Sequence, residues 1–417
     1  MLWARLFSVL LACLLLAIEA NGGERAFGPP IEPRAAAPNA ERPRVCSFRY
    51  PVCVHSDLAP STTLAVLSEV EQAWELITGA FALPPPLADW FTPYRVYLVV
   101  TGAEAEQGEA QTLLDGRDVR STIDRASAFS LVPSGLTGCT RKAMLLREVA
   151  RASLWGVSPA TDPGTATAQT EALARLAVPC TELFEPAVGA FQRAAERALP
   201  ETSSALYSRG ASLFYEWLDG FAMEPGGLVR GSWALAATKT APGALRWEER
   251  PDVFDVFRTT FAGALGTRTT FDDVLVRFAV ARASMSPSVS WAWDIPWPSK
   301  GRRLQSSVGI APTGGAYVRV SCVGAPAGGR LYVKSEWEEH AGLRWVVVKL
   351  GPGERRVELA LTSLDRQTTA ETTVVELEGV ETLLVVRTNV GDPTAPFDPD
   401  DEVWEPHGWV LTLGASD

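Results

Sequence analysis

The hydrophobic period of this chain changes twice, and the two changes restrict the folds that its 417 residues can adopt. Between Val45 and Val132, short apolar runs suit strands, with one helical stretch among them. From Thr137 onward, apolar residues recur every three or four positions in successive segments that Pro or Gly separates. After Pro287 the alternation of strands returns, in short runs with Gly- or Pro-bearing turns. The order is therefore strands, then helices, then strands.

These periods predict an α+β fold with two domains, because about 370 folded residues exceed what one hydrophobic core usually holds. We expect an N-terminal domain over 45–287, made of a small sheet and a mostly helical remainder. We expect an all-β sandwich over 288–417, since about seven short strands with regular turns are typical of that architecture. The helical segments are expected at 140–155, 166–178, 183–198, 203–220, 226–239, 252–265 and 271–285. The sandwich strands are expected at 316–322, 330–335, 343–349, 356–361, 372–377, 382–388 and 408–413.

The N-terminus has the pattern of an export signal. Arg5 precedes an apolar run that ends at Ile18, and we predict that residues 1–20 form a signal peptide. The run is shorter than the about 20 apolar residues that a membrane-spanning helix needs. Cys13 ends a segment that resembles a lipobox, so a lipid anchor there is the alternative. Residues 21–44, rich in Pro and Ala, are expected to form a linker. We therefore expect a secreted, periplasmic or cell-surface protein without a membrane span.

The acidic balance of the chain argues against two classes of partner. Its net charge is −11. Nucleic acids and anionic membrane surfaces attract basic proteins, so we expect neither as a partner. The expected partner is an unidentified protein or surface ligand.

Disulfides are expected, because an exported chain meets an oxidising environment. Cys46 and Cys53 flank a short extended stretch that contains a proline and can turn back on itself. Cys139 precedes one predicted helix and Cys180 ends the next, so an antiparallel helix pair would bring them together. We predict the pairs Cys46–Cys53 and Cys139–Cys180, with Cys322 left over. Free, buried thiols are the alternative for each pair.

One predicted helix has the layout of a metallopeptidase motif. Within residues 144–154, Arg147, Glu148 and Arg151 have the spacing of H-E-x-x-H. In that motif the two histidines bind Zn²⁺ from one helix face, and the Glu between them is the general base. Arginine stands at both histidine positions here, while Glu148 keeps the identity of the base.

A second segment extends this likeness. Residues 207–219 resemble the downstream gluzincin pattern E-G-x-A-x-F, with Arg209 where the third zinc ligand stands as Glu. On these motifs, residues 45–285 resemble gluzincin-type (zincin) metallopeptidases, which implies a zincin fold. All three inferred ligand positions are arginine, and a guanidinium has no lone pair to offer a metal. The chain has three histidines, all outside the helical region: His55, His340 and His407. We therefore expect no bound metal, no cofactor and no peptidase activity.

The arginine positions have two interpretations. In the first, Arg147, Glu148 and Arg151 lie on a solvated helix face, where Glu148 pairs with Arg151 for a few tenths of a kcal/mol. In the second, the metal cleft of the family persists, and Arg147, Arg151 and Arg209 converge around Glu148. Such a cluster of guanidinium groups would bind a carboxylate or another anion.

The C-terminal strands resemble the jelly-roll or pre-peptidase C-terminal modules that accompany secreted peptidases. The acidic loop 398–402 offers hard oxygen ligands for Ca²⁺, although a solvated turn explains it as well. Several Trp residues of this domain could stack on sugars, or they could belong to its core.

These observations favour an exported, catalytically inactive metallopeptidase-like protein that acts by binding. Two alternatives stay open. One is an active secreted hydrolase or peptidase whose site residues the motifs do not identify. The other is a cell-surface or glycan-binding protein that acts through its β-sandwich.

Overall fold

The computed structural model describes most of the chain: residues 27–30, 35–38, 42–100, 109–222, 224–239, 246–248, 250–264, 270–298, 300–326, 328–338, 341–352, 356–362, 368–391 and 405–416. They belong to two compact units. The first comprises the described residues up to Asp162, together with Gln169–Glu182 and Tyr215–Phe271. The second comprises Pro163–Ala168, Leu183–Phe214 and Asp272–Asp417. This division differs from the boundary expected at 287, because parts of the helical region belong with the C-terminal strands.

Helices alternate with short breaks through the middle of the chain, as its hydrophobic period predicts. They are α1 (Pro60–Glu75, continued by a π-helical turn over Leu76–Ala80), α2 (Gly138–Trp155), α3 (Pro163–Ala177), α4 (Thr181–Arg193), α5 (Ala205–Gly210), α6 (Ser212–Asp219), α7 (Gly227–Leu235), α8 (Val253–Ala264) and α9 (Phe271–Arg282). The segment expected over 203–220 is divided into α5 and α6. The other helical segments occur close to their expected positions.

The first unit contains a five-stranded sheet with the strand order β2-β3-β4-β6-β5. The strands are β2 (Arg44–Cys46), β3 (Val52–His55), β4 (Tyr94–Val99), β5 (Gln111–Arg117) and β6 (Ala126–Pro133). The central strands β3, β4 and β6 are parallel, while β2 and β5 run antiparallel to their neighbours at the two edges. The central strands are almost continuously buried, as parallel strands covered on both faces usually are. Helix α2 packs against β5 and β6, and α1 packs against α2.

Regular structure begins before residue 45, where the sequence predicts the start of the N-terminal domain. Strand β1 (Phe27–Pro30) pairs with β7 (Arg246–Glu248), and the Ala35 amide donates to the Leu114 carbonyl at 3.0 Å. Part of the expected linker is therefore packed onto the first unit. Between Val45 and Val54 the chain forms an antiparallel hairpin of β2 and β3. Its turn carries Phe48, which is fully exposed.

The second unit contains two sheets with a common core. A five-stranded sheet has the order β13-β12-β15-β10-β8, and a four-stranded sheet has the order β14-β11-β16-β9. The strands are β8 (Trp293–Ile295), β9 (Arg302–Gln305), β10 (Gly315–Ser321), β11 (Arg330–Trp337), β12 (Leu343–Leu350), β13 (Arg356–Thr362), β14 (Thr369–Val374), β15 (Thr382–Asn389) and β16 (Trp409–Ser416). Val318 and Val385 of one sheet share a buried cluster with Val333 and Leu411 of the other. The expected β-sandwich is present within a mixed α+β chain.

Backbone hydrogen bonds attach the sandwich to helical segments of the same unit. The amide of Gly315 donates to the Ala195 carbonyl at 2.7 Å, and the amide of Ala311 donates to the Glu196 carbonyl at 2.9 Å. The Tyr317 hydroxyl donates to the Ala279 carbonyl of α9 at 3.0 Å. These contacts explain why residues 183–214 and 272–287 belong to the unit of the sandwich.

Both predicted disulfides form. Cys46 is bonded to Cys53 across the β2–β3 hairpin, and Cys139 at the start of α2 is bonded to Cys180 just before α4. Cys322 is free and buried, and burial raises its pKa to about 11.

Candidate functional site

Helix α2 carries the motif residues inside the first unit. Every side chain from Ala143 to Ala150 is buried, so this part of the helix has no solvent-facing stripe. Arg147 is 5 % exposed and Glu148 is 3 % exposed. The interpretation that places these two residues on a solvated face is therefore wrong. Charged groups are rarely buried to this degree unless they are paired.

The Arg147 guanidinium is surrounded by carboxylates. Its Nε donates to Glu148 Oε1 at 2.8 Å, and its Nη1 lies 3.4 Å from Glu171 Oε2 of α3. Its Nη2 donates to the Ala110 carbonyl at 3.1 Å and to Glu109 Oε2 at 3.3 Å. All three guanidinium nitrogens thus have acceptors, and three acidic side chains face one cation.

The second oxygen of Glu148 is held by a chain of hydroxyl groups. Thr112 Oγ1, on β5, donates to Glu148 Oε2 at 2.6 Å and lies 2.8 Å from Ser130 Oγ on β6. The Tyr94 hydroxyl, on β4, lies 2.5 Å from the same Ser130 oxygen. Both carboxylate oxygens of Glu148 therefore have partners, and the sheet fixes the side chain on α2.

The charges at this site affect one another strongly. Burial alone would lower the pKa of Arg147, but the charges of Glu148, Glu171 and Glu109 raise it above its ordinary value. Burial raises the pKa of Tyr94, and the nearby Glu148 charge adds to the increase. The guanidinium of Arg147 stays a cation, and Tyr94 stays a neutral hydrogen-bonding group, throughout the range of pH in which proteins fold.

The other two arginines have different surroundings. Arg151 follows one helical turn after Arg147, and burial lowers its pKa, while the nearby Glu148 charge acts in the opposite direction. Arg209 is 3 % exposed in the second unit, where its Nη2 donates to the Leu183 carbonyl at 3.2 Å. The convergence of all three arginines around Glu148 stays a prediction.

Three contributors to the site escape the sequence motifs. All three lie far from the motif along the chain: Glu109 and Glu171 reach Arg147, and Thr112 reaches Glu148, only through folding of the segment at β5 and of α3. Glu171 had a signal in the sequence, since it is an acidic residue in a helix downstream of the motif. It lies 24 residues after Arg147 and is 1 % exposed.

The arrangement offers acid–base groups but no set of zinc ligands. Within the described ranges, one group of His, Cys, Asp or Glu has a metal-like geometry, namely Cys139, Cys180 and Glu182. Because the two cysteines form a disulfide, they supply no thiolate to a metal. His55 is buried beside Tyr97, with ring centroids 4.6 Å apart, and it is a structural residue of the sheet. The possible Ca²⁺ loop 398–402 and His340 lie outside the described residues.

Comparisons with known proteins give little beyond this geometry. No sequence family matches the chain, and no curated protein matches it. The pre-peptidase C-terminal domain of collagenase from Bacillus anthracis is 8 % identical, with a TM-score of 0.20, over 30 % of this chain and 97 % of that domain. CorA, a surface-associated copper-binding protein of Methylomicrobium album BG8, is 6 % identical, with a TM-score of 0.21, over 30 % of this chain and 96 % of its own. At such scores neither likeness supports a functional argument.

The topology of the described residues contains no helix whose length and hydropathy suit a membrane crossing. The predicted signal peptide and the alternative lipid anchor at Cys13 lie outside the described residues.

Proposed function

We propose that the chain is an exported, catalytically inactive metallopeptidase-like protein that acts by binding a partner. In this proposal residues 45–285 derive from a zincin-like catalytic domain, and the sandwich is an accessory module of the pre-peptidase C-terminal kind.

The observation that carries the proposal is the environment of Arg147. In an active gluzincin, a metal ion stands beside the first histidine position of the helix and is neutralised by a carboxylate from a downstream helix. Here a permanent cation is part of the chain at that position, and its neighbours are Glu148 and Glu171. The guanidinium groups of Arg147 and Arg151 supply two positive charges against Glu148 and Glu171, so no metal is needed to compensate for these two carboxylates. The Arg147 guanidinium also leaves no open position for a zinc-bound water, which the peptidase reaction requires.

The same contacts revise the inferred third ligand position. Glu171 reaches Arg147 from the downstream helix α3, whereas Arg209 is bound to the Leu183 carbonyl. We therefore infer that Glu171, rather than Arg209, corresponds to the third zinc ligand of the family.

The experiment restores the two histidines. Purified parent protein should contain no stoichiometric zinc and should cleave no peptide. The double variant Arg147→His/Arg151→His should fold and bind about one Zn²⁺ per chain, because two imidazoles and the Glu171 carboxylate complete a tetrahedral set with water. Elemental analysis after gel filtration and competition with a chromogenic chelator measure this binding.

Two controls separate the possible alignments. Arg147→Gln/Arg151→Gln removes the same charges without adding imidazole and should bind no zinc. Adding Glu171→Gln to the histidine variant should weaken zinc binding at least tenfold. If Arg147→His/Arg151→His/Arg209→Glu gains zinc that the double variant lacks, Arg209 is the correct third position. Stoichiometric zinc in the parent, lost in Glu148→Ala, would refute the inactive-enzyme proposal.

A further inference from the structure

Two loops of the first unit lie at the same end of two neighbouring strands of its sheet. Strands β3 and β4 are adjacent and parallel, with Val52 directly opposite Tyr94. The loops that precede these strands therefore end side by side, and the Tyr94 amide donates to the Pro51 carbonyl at 2.9 Å. One loop is the turn of the β2–β3 hairpin, and the other is the segment before β4.

The hairpin loop presents Phe48 to solvent from a rigid frame. The Cys46–Cys53 disulfide closes its base. Inside the loop, Ser47 Oγ accepts hydrogen bonds from the amides of Arg49 at 2.9 Å and Tyr50 at 3.0 Å. Phe48 is 100 % exposed, so an ordered backbone holds an apolar ring entirely in water.

The second loop presents two more aromatic side chains. Asp89 Oδ1 accepts hydrogen bonds from the Phe91 amide at 2.8 Å and from the Thr92 amide at 2.6 Å, which closes a tight turn. Trp90 is 61 % exposed and Phe91 is 95 % exposed. The polar side chain of this turn thus faces its own backbone, while its aromatic residues face outward.

Exposure and charge indicate what these loops contact. Each loop presents apolar rings to solvent from a backbone that hydrogen bonds hold, so these rings are available for insertion into the interface of a bilayer. Trp and Phe are residues that favour the interface between bilayer and water. The nearby Arg49 is paired with Glu75 at 3.6 Å, and Asp89 is exposed in the second loop, so the loops carry no excess of positive charge. Because the whole chain is acidic, with a net charge of −11, a zwitterionic surface suits it better than an anionic one.

We propose that Phe48, Trp90 and Phe91 form a two-loop lipid-docking site that inserts into the interface of a zwitterionic bilayer. The docking site holds the exported protein at a membrane surface without a spanning helix. It does not depend on the alignment of the arginine cluster with a zinc site.

The test uses the full-length chain and phosphatidylcholine vesicles in a flotation assay. The parent should float with the vesicles, and its Trp fluorescence should shift to shorter wavelength. Phe48→Ser and Phe91→Ser should each lower the partition coefficient about tenfold, because each removes one large apolar side chain from the inserted surface. All the substituted side chains are exposed, so circular dichroism and urea unfolding should match those of the parent.

Phe221→Ser is the matched control, since Phe221 is 72 % exposed elsewhere in the same unit. It should leave flotation unchanged. The proposal is overturned if the parent does not float, or if Phe221→Ser reduces flotation as much as the loop variants do. Self-association that depends on Phe48 and Phe91, without vesicle binding, would overturn it in favour of a second copy of the chain.

Discussion

At the scale of single residues, two buried arginines, Arg147 and Arg387, have contrasting environments. Arg147 donates to carboxylates from both its own helix and α3, and these charges raise its pKa. Arg387 lies between the two sheets of the sandwich, stacked 4.1 Å from the ring of Trp409 and donating from Nε to Ser335 Oγ. Burial lowers the pKa of Arg387 to about 9, and its Nη1 and Nη2 have no hydrogen-bond partner among the residues that the structure describes. The same side chain is thus compensated in one unit and uncompensated in the other.

Arg147→Met should destabilise the protein by about 3–5 kcal/mol, because it removes the cation that lies among the buried carboxylates of Glu148 and Glu171. Urea unfolding followed by Trp fluorescence measures the change. The matched control is Arg49→Met, which breaks a pair whose side chains are both 61 % exposed. We expect that control to lower the free energy of unfolding by less than about 1 kcal/mol. Equal, small losses in the two variants would contradict the assignment of Arg147 as a compensating charge.

Arg387→Met should not lower the free energy of unfolding as Arg147→Met does. Replacing an unpaired buried charge with an apolar side chain of similar length is expected to be neutral or to stabilise the protein by about 1 kcal/mol. Urea unfolding of the parent and the variant at pH 7 decides this. A loss of more than about 2 kcal/mol would mean that the stack on Trp409 and the hydrogen bond to Ser335 outweigh the cost of burying the charge.

His55 should make stability depend on pH below neutrality. Burial, followed by the charges of Arg44, Arg95 and Arg42, lowers its pKa from 6.5 to about 4. The unfolded chain therefore takes up a proton near pH 6.5 that the folded chain refuses until about pH 4. This contribution to the free energy of unfolding is complete above pH 6.5 and is lost as the pH falls towards 4.

The variant His55→Gln lacks this proton uptake. Between pH 7.5 and pH 5, the parent should lose about 2 kcal/mol more stability than the variant does, from linkage. Urea titrations at both values provide the comparison, in which carboxylate effects common to the two proteins cancel. Parallel losses in parent and variant would show that His55 titrates normally in the folded state.

At the scale of elements, the sequence predicts those helices and strands whose positions follow from a local hydrophobic pattern. Apolar residues at helical spacing locate α2, and the alternation of buried and more exposed residues locates β11. Strands β12 and β15 are instead continuous apolar runs, because they are buried along almost their whole length. The Cys139–Cys180 pair follows from helix ends that meet when neighbouring helices run antiparallel. Short β8 and β9 have too few residues to show a period. The pairing of Arg147 with Glu171 depends on packing between α2 and α3, which no local pattern contains.

The two disulfides should contribute unequally to stability. Cys139–Cys180 closes a separation of 41 residues, whereas Cys46–Cys53 closes one of 7. Chain-entropy arguments give about 4 kcal/mol for the longer loop and about 2 kcal/mol for the shorter one. Urea unfolding of Cys139→Ser/Cys180→Ser and Cys46→Ser/Cys53→Ser tests this order. The reverse order would show that strain or residual structure, rather than loop length, determines these contributions.

At the scale of the whole molecule, the chain alternates between its two compact units instead of completing one before it begins the other. The predicted boundary at 287 follows from the change of hydrophobic period. However, the sandwich is bonded to residues 195–199 through Gly315, Ala311 and the Thr313 hydroxyl, which accepts from the Leu199 amide at 2.7 Å. The change of secondary structure at 287 therefore does not coincide with the division between the two compact units.

A chain that ends at Pro287 should consequently fail to fold as an independent domain. It keeps residues 183–214 and 272–287 but removes the strands whose backbone groups they bond, so buried polar groups and apolar side chains become exposed. We expect lower helicity, aggregation or rapid proteolysis within 183–214, measured by circular dichroism and mass spectrometry of the fragments. The full-length protein with a protease site inserted after Pro287 is the control, and after cleavage its two pieces should remain associated on gel filtration. A truncated chain that unfolds as cooperatively as the parent, with residues 183–214 protected from protease, would restore the boundary that the hydrophobic period suggests.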